Sequence, residues 1–496
     1  MNKLVKKIVV LGGGTAGWMS AALIKKLLGA SISVELVESD AISTVGVGEA
    51  TIPPIQLFNS VLGINEAEFL RETKATIKLG IKFEHWKTKG ESYFHSFGAP
   101  GKSTPFCQFH HYLKRAQTLG LKDSLWDYDL NYLCATQGKF AKIKTQNPII
   151  ETPYAYHFDA TLYGEYLRRF SENLGVVRTE GLVEQVKQCP QSGNVESLIL
   201  KSGAEISGDL FIDCSGFKGL LIQQTLNTGY EDWSHWLRCD RAVAVPSERL
   251  ANTLPYTRSI AHAGGWQWRI PLQHRNGNGL VYSSNHYSDE QATDLIMSNL
   301  ESKALADPKV IQFKTGRQRK QWHKNVIAVG LSSGFLEPLE STSIHLIQSA
   351  VVRLVHMFPH QGINESEVEE YNRQSKVEYE QVRDFIILHY HVNQRTDSQF
   401  WRDMREMEIP ETLQRKIELF RQSGKLFREQ NDLFNEGSWL QVMLGQGIEP
   451  QDYHPMANNM PAEQLLTMLK KIKEIKHEPL SKLPSHDDFL KLFMQH

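Results

Sequence analysis

The stretch KIVVLGGGTAG, residues 7–17, decides the fold. Its first five residues form a short apolar run rich in β-branched side chains, which is typical of a buried parallel strand. Gly12, Gly14 and Gly17 match the pattern G-x-G-x-x-G, whose glycines permit a tight turn, a close approach of the backbone to a pyrophosphate and close packing of the next helix. The stretch therefore predicts a strand, a phosphate-binding turn and a helix.

The residues after this turn complete a βαβ unit. Met19, Leu23 and Leu27 have helical spacing, and a second strand from Ser33 ends at Glu38. An acidic residue about twenty positions beyond the glycines accepts hydrogen bonds from a ribose hydroxyl in dinucleotide-binding folds. Because this position is acidic and not basic, the sequence favours FAD or NAD and disfavours NADP.

Two later segments favour FAD over NAD. Residues 208–216 (GDLFIDCSG) and 325–334 (NVIAVGLSSG) each combine a short apolar strand with a turn of small residues. Returning segments of this kind suit a flavoprotein, in which distant parts of one chain hold an extended cofactor. The sequence has no second G-x-G-x-x-G, so we expect the reductant to come from another protein.

The amino-acid composition of the chain argues against several classes of function. The chain has 496 residues, of which 41% are hydrophobic and 22% charged, and 55 basic residues nearly balance 56 acidic ones. A formal charge of −1 argues against nucleic acid as a partner, because such binding rests on a basic surface. No apolar run approaches the roughly 18 residues of a membrane span. Five dispersed cysteines predict neither disulfides nor a metal site, and we expect a cytoplasmic protein.

Two segments further along carry residues suited to chemistry. Asn65 and Glu68 resemble the start of a helix, and Lys78 would fall at its end, where a lysine commonly interacts with the helix dipole. Trp266 and Trp268 lie on one face of a predicted strand. They are either core aromatics or the wall of a cavity that excludes water from a reactive cofactor.

The segment GFLEPLESTSIH, residues 334–345, allows two interpretations. Its three hydroxyl residues, Ser341 to Ser343, could cap a helix that starts near Ile344. The amides of a helix N-terminus also attract anions, so the same backbone could hold a halide or the polar edge of a flavin.

Read together, these segments resemble the flavin-dependent halogenases of the tryptophan halogenase family. The resemblance covers most of the chain, and its most specific part is the pair formed by the first glycine motif and WQWRIP, residues 266–271. It is carried by the following stretches: GGGTAGW (12–18), GVGEATIP (46–53), the lysine at 78, YFHSFG (93–98), YHFDA (156–160), WQWRIP, GFLEPLEST (334–342) and RDFIILHYH (383–391).

The resemblance implies a reaction. In the family, reduced FAD, oxygen and a bound halide give hypohalous acid, which travels to a separate aromatic pocket. There the lysine matching Lys78 captures or orients the electrophile, and the glutamate matching Glu340 helps to position it and accepts the ring proton. The tryptophan pair keeps the substrate away from the flavin.

The resemblance also implies binding residues. Halide is expected near Thr342 and Ser343, and chloride and bromide both stay open, because tryptophan-specific members usually carry glycine at the position of Ser343. His95, Phe97 and Phe434 are the expected substrate pocket. The flavin contacts implied by the glycine motif and the resemblance are Gly12, Gly13, Gly14, Thr15, Ala16, Gly17, Glu38, Ser39, Val45, Glu49, Ala50, Val183, Leu331 and Ile344.

The expected fold is α/β: a Rossmann-like FAD-binding core of the aromatic-hydroxylase type of flavoprotein monooxygenase, with an added β-sheet. We expect residues 1–360 to form this discontinuous core, and residues 361–496 to form a mostly helical region that covers the substrate pocket. In family members this second region often contributes to a dimer interface, so a homodimer is one option.

The expected substrate is indole or an indole derivative. Members that act on free tryptophan hold its head group with a tyrosine pair, a glutamate and a Phe-Trp pair. Residues 423–439 offer Glu429, Leu433, Phe434 and Asn435 but no tyrosine pair. The expected enzyme is an FAD-dependent halogenase fed by a separate flavin reductase. A free-tryptophan halogenase and an FAD-dependent aromatic monooxygenase are the alternatives, and a flavin-binding protein without turnover is a third.

Overall fold

The computed structural model describes residues 4–42, 48–359 and 361–495. The strands among them are β1 (Lys7–Leu11), β2 (Ser33–Glu38), β3 (Gly48–Ala50), β4 (Thr76–Lys78), β5 (Gly80–Glu84), β6 (Ser92–Ser96), β7 (Ala155–Asp159), β8 (Val177–Glu180), β9 (Val183–Gln188), β10 (Val195–Leu200), β11 (Glu205–Ser207), β12 (Leu210–Asp213), β13 (Tyr230–Asp232), β14 (Arg241–Glu248), β15 (Thr257–His262), β16 (Gly265–Pro271), β17 (Arg275–Tyr282), β18 (Lys309–Gln312), β19 (Gly316–Gln318), β20 (Trp322–His323), β21 (Val326–Ala328) and β22 (Gly334–Phe335).

The helices alternate with these strands at first and dominate the last third of the chain. They are α1 (Thr15–Leu28), α2 (Pro54–Leu62), α3 (Glu66–Glu72), α4 (Phe109–Thr118), α5 (Leu130–Thr136), α6 (Ala160–Asn173), α7 (Asp289–Ser298), α8 (Ser343–His356), α9 (Glu365–His391), α10 (Gln399–Glu406), α11 (Glu411–Ser423), α12 (Glu436–Gly445), α13 (Ala462–His477) and α14 (His486–Phe493). None of the described helices is long and apolar enough to cross a membrane.

The chain divides into two compact units, each assembled from three segments. Unit one contains Met1–Ala75, Phe158–Asp240 and Ile311–Glu380, and unit two contains Thr76–His157, Arg241–Val310 and Gln381–His496. The boundary expected at residue 360, between the FAD-binding core and the helical region that covers the substrate pocket, stays a prediction.

Unit one is built on a mostly parallel sheet with the order β20-β21-β12-β1-β2-β8. Strand β1 lies between β2 and β12 and is parallel to both, and Ile8, Val9 and Val10 are fully buried. Helices α6 and α8 both pack against α1. The predicted βαβ unit and the predicted α/β class are confirmed.

Unit two is built on a mostly antiparallel sheet with the order β18-β14-β17-β16-β15-β5-β6. Strand β16 carries the two tryptophans in the middle of this sheet and pairs with β15 and β17. Strand β6 forms one edge, where it pairs with β5. This sheet is the added β-sheet that the sequence predicts beside the nucleotide-binding fold.

Candidate active site

The glycine turn after β1 is shaped by close contacts. Gly12 has a φ of 112°, and its amide donates to the carbonyl of Val37 at 2.8 Å. A Cβ atom on Gly12 would overlap the carbonyl oxygen of Cys214, and one on Gly17 would overlap the carbonyl oxygen of Gly12. Only glycine fits at these two positions, as the motif predicts.

Helix α1 presents its N-terminus beside this turn. The residue before it, Gly14, supplies no side-chain cap, and the first helical turn has no acidic residue. The segment Gly330–Ser332 lies against that turn, because a Cβ atom on Gly330 would approach the Cβ atom of Ala16 to 2.8 Å. The structure therefore brings Thr15, Ala16 and Leu331 together around an uncapped, positively polarised helix end that suits a pyrophosphate.

Glu38 lies at the end of β2 beside the turn. A Cβ atom on Gly13 would overlap its carboxylate, and its Oε1 atom lies 2.6 Å from Nε of Arg178. The neighbouring Ser39 donates to Glu180 at 3.1 Å. These contacts place an acidic group at the edge of the glycine turn, where a ribose hydroxyl would bind in a dinucleotide fold. The glycine turn, the helix end and this acid together fit FAD.

The remaining expected flavin contacts are more scattered. Ala50 is buried in β3, and burial raises the pKa of its neighbour Glu49 to about 7. Val183 begins β9 and packs against the apolar cluster that contains Val37. Val45 lies outside the described residues.

The expected halide site lies in the turn before α8. Glu340 is 1% exposed and Thr342 is fully buried. Within the described residues, Oγ1 of Thr342 has no hydrogen-bond partner. Helix α8 begins at Ser343, and its N-cap residue Thr342 makes no side-chain capping hydrogen bond. A buried hydroxyl without a partner at an uncapped helix end fits a bound halide.

Sequence reasoning missed the residues that fix the first turns of α8. Glu378 in α9 receives hydrogen bonds from Ser349 at 2.8 Å and from Arg353 at 2.6 Å, and its Oε1 lies 3.4 Å from Nε2 of His345. Burial alone would raise the pKa of Glu378, but these partners outweigh it and hold the pKa at about 2. The carboxylate is therefore ionised and ties α8 to α9. A buried glutamate on a long charged helix gives no local sequence signal.

Lys78 lies in a strand and not at the end of a helix. Helix α3 ends at Glu72, and Lys74 has a φ of 53°, which reverses the chain. Ile77 and Lys78 then pair with Tyr156 and Ala155 of β7. The interpretation of Lys78 as a helix-dipole partner is therefore wrong.

The Lys78 ammonium is buried beside an aromatic ring. The side chain is 0% exposed, and Nζ lies 5.2 Å from the centroid of Phe97. His157 lies nearby and bonds Thr76 and Thr257 at 3.0 and 2.9 Å. Burial, with the charge of Lys78 as a second cause, holds the pKa of His157 well below its usual value. The lysine is therefore a buried amine beside an imidazole that is held neutral.

Two of the expected substrate residues meet in an aromatic cluster. The ring centroids of His95 and Phe434 lie 6.3 Å apart, and both rings contact Phe385, which stacks on Phe434 at 3.8 Å. Trp439 meets Phe385 edge to face at 4.8 Å. Phe385 belongs to the stretch RDFIILHYH, but sequence reasoning gave it no role. The cluster supplies aromatic surface of the kind that holds a flat ring.

Trp266 and Trp268 have different surroundings within unit two. Their ring centroids are 6.1 Å apart, and both side chains are buried. Trp266 approaches Trp86 at 6.2 Å, while the Trp268 ring occupies the space where a Cβ atom on Gly279 would stand. Gly279 in β17 is therefore required for the position of Trp268.

Every expected site residue except Val45 thus has a place among the described residues. The described flavin and halide candidates and Glu340 belong to unit one, whereas Lys78, His95, Phe97, Phe434 and the tryptophan pair belong to unit two.

Known proteins resemble this chain over nearly its whole length. The family model described as tryptophan halogenase matches residues 7–462. Tryptophan 7-halogenase RebH of Lentzea aerocolonigenes is 34% identical, covering 99% of each chain. Among solved structures, the flavin-dependent halogenase Xcc4156 from Xanthomonas campestris is 48% identical to this chain, with a TM-score of 0.97. BrvH, a flavin-dependent halogenase from Brevundimonas sp. BAL3, is 42% identical, with a TM-score of 0.95. Each of these two comparisons covers 99% of both chains. The chain belongs to the tryptophan halogenase family and is a flavin-dependent halogenase.

Proposed function

We propose that this enzyme halogenates indole or an indole derivative, using Lys78 and Glu340. It would take reduced FAD from a separate flavin reductase and use oxygen and chloride or bromide to form hypohalous acid. The single observation that carries the proposal is the buried ammonium of Lys78, 5.2 Å from the Phe97 ring. A lysine side chain enclosed in this way is shielded from bulk water, which strengthens its interaction with an electrophilic halogen.

Reduced FAD supplies the activated oxygen that oxidises halide. The residues that would hold it are the glycine turn, the first turn of α1 and the acidic end of β2, together with Val45, Glu49, Ala50, Val183, Leu331 and Ile344. Thr342 would donate its hydroxyl hydrogen bond to the halide, and Ser343 would offer a backbone amide at the start of α8.

Lys78 would donate a hydrogen bond to the oxygen of hypohalous acid. An ammonium donor draws electron density from that oxygen and makes the halogen more electrophilic, and the buried site strengthens the effect because water does not screen it. Glu340 would then accept the proton that the ring loses when its aromaticity is restored. Its burial keeps this carboxylate from being solvated by bulk water.

The aromatic cluster supports an indole ring more than a free amino acid. Asn435 caps α12 by accepting from the amide of Ser438 at 3.0 Å, so its side chain already has a structural role. Glu429 is half exposed and pairs with Arg415 at 3.2 Å. Neither residue is therefore arranged as a clamp for an amino-acid head group, and residues 423–439 contain no tyrosine.

The tryptophan pair supports halogenation over direct oxygen insertion. Two large buried rings on β16 would keep an aromatic substrate away from the flavin, as the resemblance implies, and hydroxylation requires the two to meet. If the substrate never meets the flavin, oxygen is not inserted directly, and a product forms only when halide is present.

The experiment compares Lys78→Met with Lys82→Met, a matched change two positions into β5. Each variant is incubated with FAD, a generic flavin reductase, NADH, oxygen, bromide and indole, and mass spectrometry measures brominated product. We expect Lys78→Met to lose at least about 100-fold in rate, as when an electrostatic donor is removed from an active site, with FAD affinity unchanged. Lys82→Met should remain active. Retained bromination in Lys78→Met, or an oxygenated product formed without halide, would overturn the proposal.

A further inference from the structure

The carbonyl group of Leu79, the residue after Lys78, joins several parts of unit two. It accepts a hydrogen bond from the amide of Phe97 at 3.0 Å and a second one from Nδ2 of Asn131 at 3.3 Å. A carbonyl oxygen has two lone pairs, so these two donors use its full capacity. The amide of Leu79 donates to the carbonyl of Pro255 at 2.8 Å. The backbone that follows Lys78 is therefore held through both of its polar groups.

Asn131 connects this carbonyl to a third segment. Its side chain lies in the first turn of α5, is 0% exposed, and also donates to the carbonyl of Pro153 at 2.6 Å. Because both partners are acceptors, the amide must turn its nitrogen toward them. Its Oδ1 finds no partner among the described residues. A buried acceptor without a partner is costly, so the two carbonyl groups that Asn131 holds explain this side chain better than a gain in stability does.

Asp129 fixes the position of Asn131. Its Oδ1 accepts from the amide of Asn131 at 2.9 Å and so caps α5. Its Oδ2 accepts from the hydroxyl of Ser96, and the oxygen of that hydroxyl accepts from the amide of Gly98 at 3.1 Å. A Cβ atom on Gly98 would approach Oδ1 of Asp129 to 2.6 Å, so only glycine allows this close packing. One buried side chain therefore joins the start of α5 to the residues on either side of Phe97.

These contacts act on both Lys78 and Phe97. Lys78 directly precedes the carbonyl group that Asn131 holds, and the amide of Phe97 donates to the same carbonyl. A side chain moves with its backbone, so the distance of 5.2 Å between Nζ of Lys78 and the Phe97 ring depends on this shared group. A displacement of about 1 Å at a reacting group can cost about 100-fold in rate.

We propose that Asn131, held by Asp129, is a positioning residue that fixes the Lys78 amine against the Phe97 ring. It acts through the carbonyl group of Leu79, and its effect on the reaction is to set where the halogen is delivered. This role rests on the function proposed above for Lys78.

Asn131→Leu tests this role in the full chain, because leucine has a similar size but no N–H donor. Mass spectrometry follows the bromination of indole under the conditions given above, with FAD affinity and thermal unfolding measured alongside. We expect the rate to fall at least about tenfold while FAD affinity is unchanged. Asn131→Ala removes the same donors without adding apolar volume, and it should show the same loss if Asn131→Leu does not fold.

Asn325→Leu in unit one is the matched control. Asn325 is also buried, and its Nδ2 also donates to two carbonyl groups, those of Val195 at 2.7 Å and Asp209 at 3.3 Å. It precedes β21 at the amino ends of the parallel strands, whereas the glycine turn lies at their carboxyl ends. We expect this variant to lose thermal stability as Asn131→Leu does, but to keep its bromination rate.

A double-mutant cycle separates positioning from a general loss of structure. If Asn131 acts through Lys78, Asn131→Leu should not slow the Lys78→Met variant further, because the amine that it positions is already absent. An equal slowing of the parent chain and of Lys78→Met, or an unchanged rate in folded Asn131→Leu, would overturn the positioning role and leave the proposed function intact. Retained bromination in Lys78→Met would instead overturn the proposed function, and the positioning role with it.

Discussion

At the scale of single residues, the hydroxyl of Thr342 allows halide binding and folding stability to be tested separately. It is buried and has no partner among the described residues, so it contributes nothing evident to folding. Thr342→Val keeps the shape and removes the polar atom. We expect the free energy of unfolding to stay the same or rise by about 1 kcal/mol, while the KM for bromide rises about tenfold because the halide loses a hydrogen bond.

Steady-state halogenation against bromide concentration and denaturant unfolding give these two quantities. FAD affinity serves as the control, since the glycine turn is untouched. A variant that loses stability but keeps the bromide KM would show that the hydroxyl is structural and would remove Thr342 from the halide site.

Glu49 makes a prediction about pH at the same scale. Burial raises its pKa from 4.5 to about 7, so between these values the folded chain holds a proton that the unfolded chain has released. The stability that this residue contributes is therefore full below pH 4.5 and is lost as pH rises through 7. Glu49→Gln removes the titration.

The variant should accordingly gain stability relative to the parent chain as pH increases from 5 to 8. Urea unfolding of both proteins without flavin, at pH 5 and pH 8, measures the difference. If the free energies of unfolding of the two proteins change by the same amount between pH 5 and pH 8, Glu49 does not titrate in this range, and the buried environment described for its carboxyl group is wrong.

At the scale of elements, a side chain completes the edge of the sheet in unit two. Gln441 in α12 accepts from the amide of Ser96 at 2.9 Å and donates to its carbonyl at 3.2 Å, as a neighbouring strand would. Strand β6 carries His95 and leads into Phe97. Gln441→Leu should cost about 2 kcal/mol in unfolding free energy, because two buried backbone groups lose their partner, and should raise the KM for indole.

Denaturant unfolding and steady-state kinetics check this prediction, with Gln422→Leu on exposed α11 surface as the matched control. An unchanged KM in Gln441→Leu would mean that the position of β6 is set by β5 alone.

Local elements were predictable where the deciding contacts are local. The strand, turn and helix of residues 7–28 follow from glycines and apolar spacing, because each constraint acts within a few residues. Asn65 and Glu68 do start the helix that the sequence predicts, but the chain reversal at Lys74 ends it before Lys78, and the β-branched Thr76 and Ile77 favour a strand. Contacts such as that between His345 and Glu378 join distant segments, and the sequence between them contains no pattern that predicts such a contact.

The family resemblance identifies pocket residues that the spacing of motifs along the sequence cannot identify. It named His95 and Phe434 as pocket residues although 338 positions separate them, and the structure brings their rings within 6.3 Å. It gave no role to Phe385, which joins the two, because that contact depends on how α9 packs in unit two.

At the scale of the whole molecule, the end of the chain supports the strand that carries Lys78. His486, the first residue of α14, accepts a hydrogen bond from the amide of Ile77 at 3.1 Å and lies 2.9 Å from the carbonyl of Thr253. Burial, partly opposed by that carbonyl, lowers the pKa of His486 to about 4. The imidazole is therefore neutral at pH 7, which it must be to accept from Ile77.

We expect His486→Leu to lose about 2 kcal/mol of unfolding free energy at pH 7 and to lower the halogenation rate while FAD affinity is retained, because Ile77 and Thr253 lose a shared partner beside Lys78. His477→Leu, at an exposed position of α13, is the control. The unfolded imidazole binds a proton below its usual pKa of 6.5, whereas the folded one resists until about pH 4, so the contribution of His486 falls as pH drops through this window. The stability difference between the parent chain and His486→Leu should therefore shrink from pH 7 to pH 4. A difference that stays constant would show that the imidazole does not titrate there, and an unchanged halogenation rate would show that Lys78 keeps its place without the last helix.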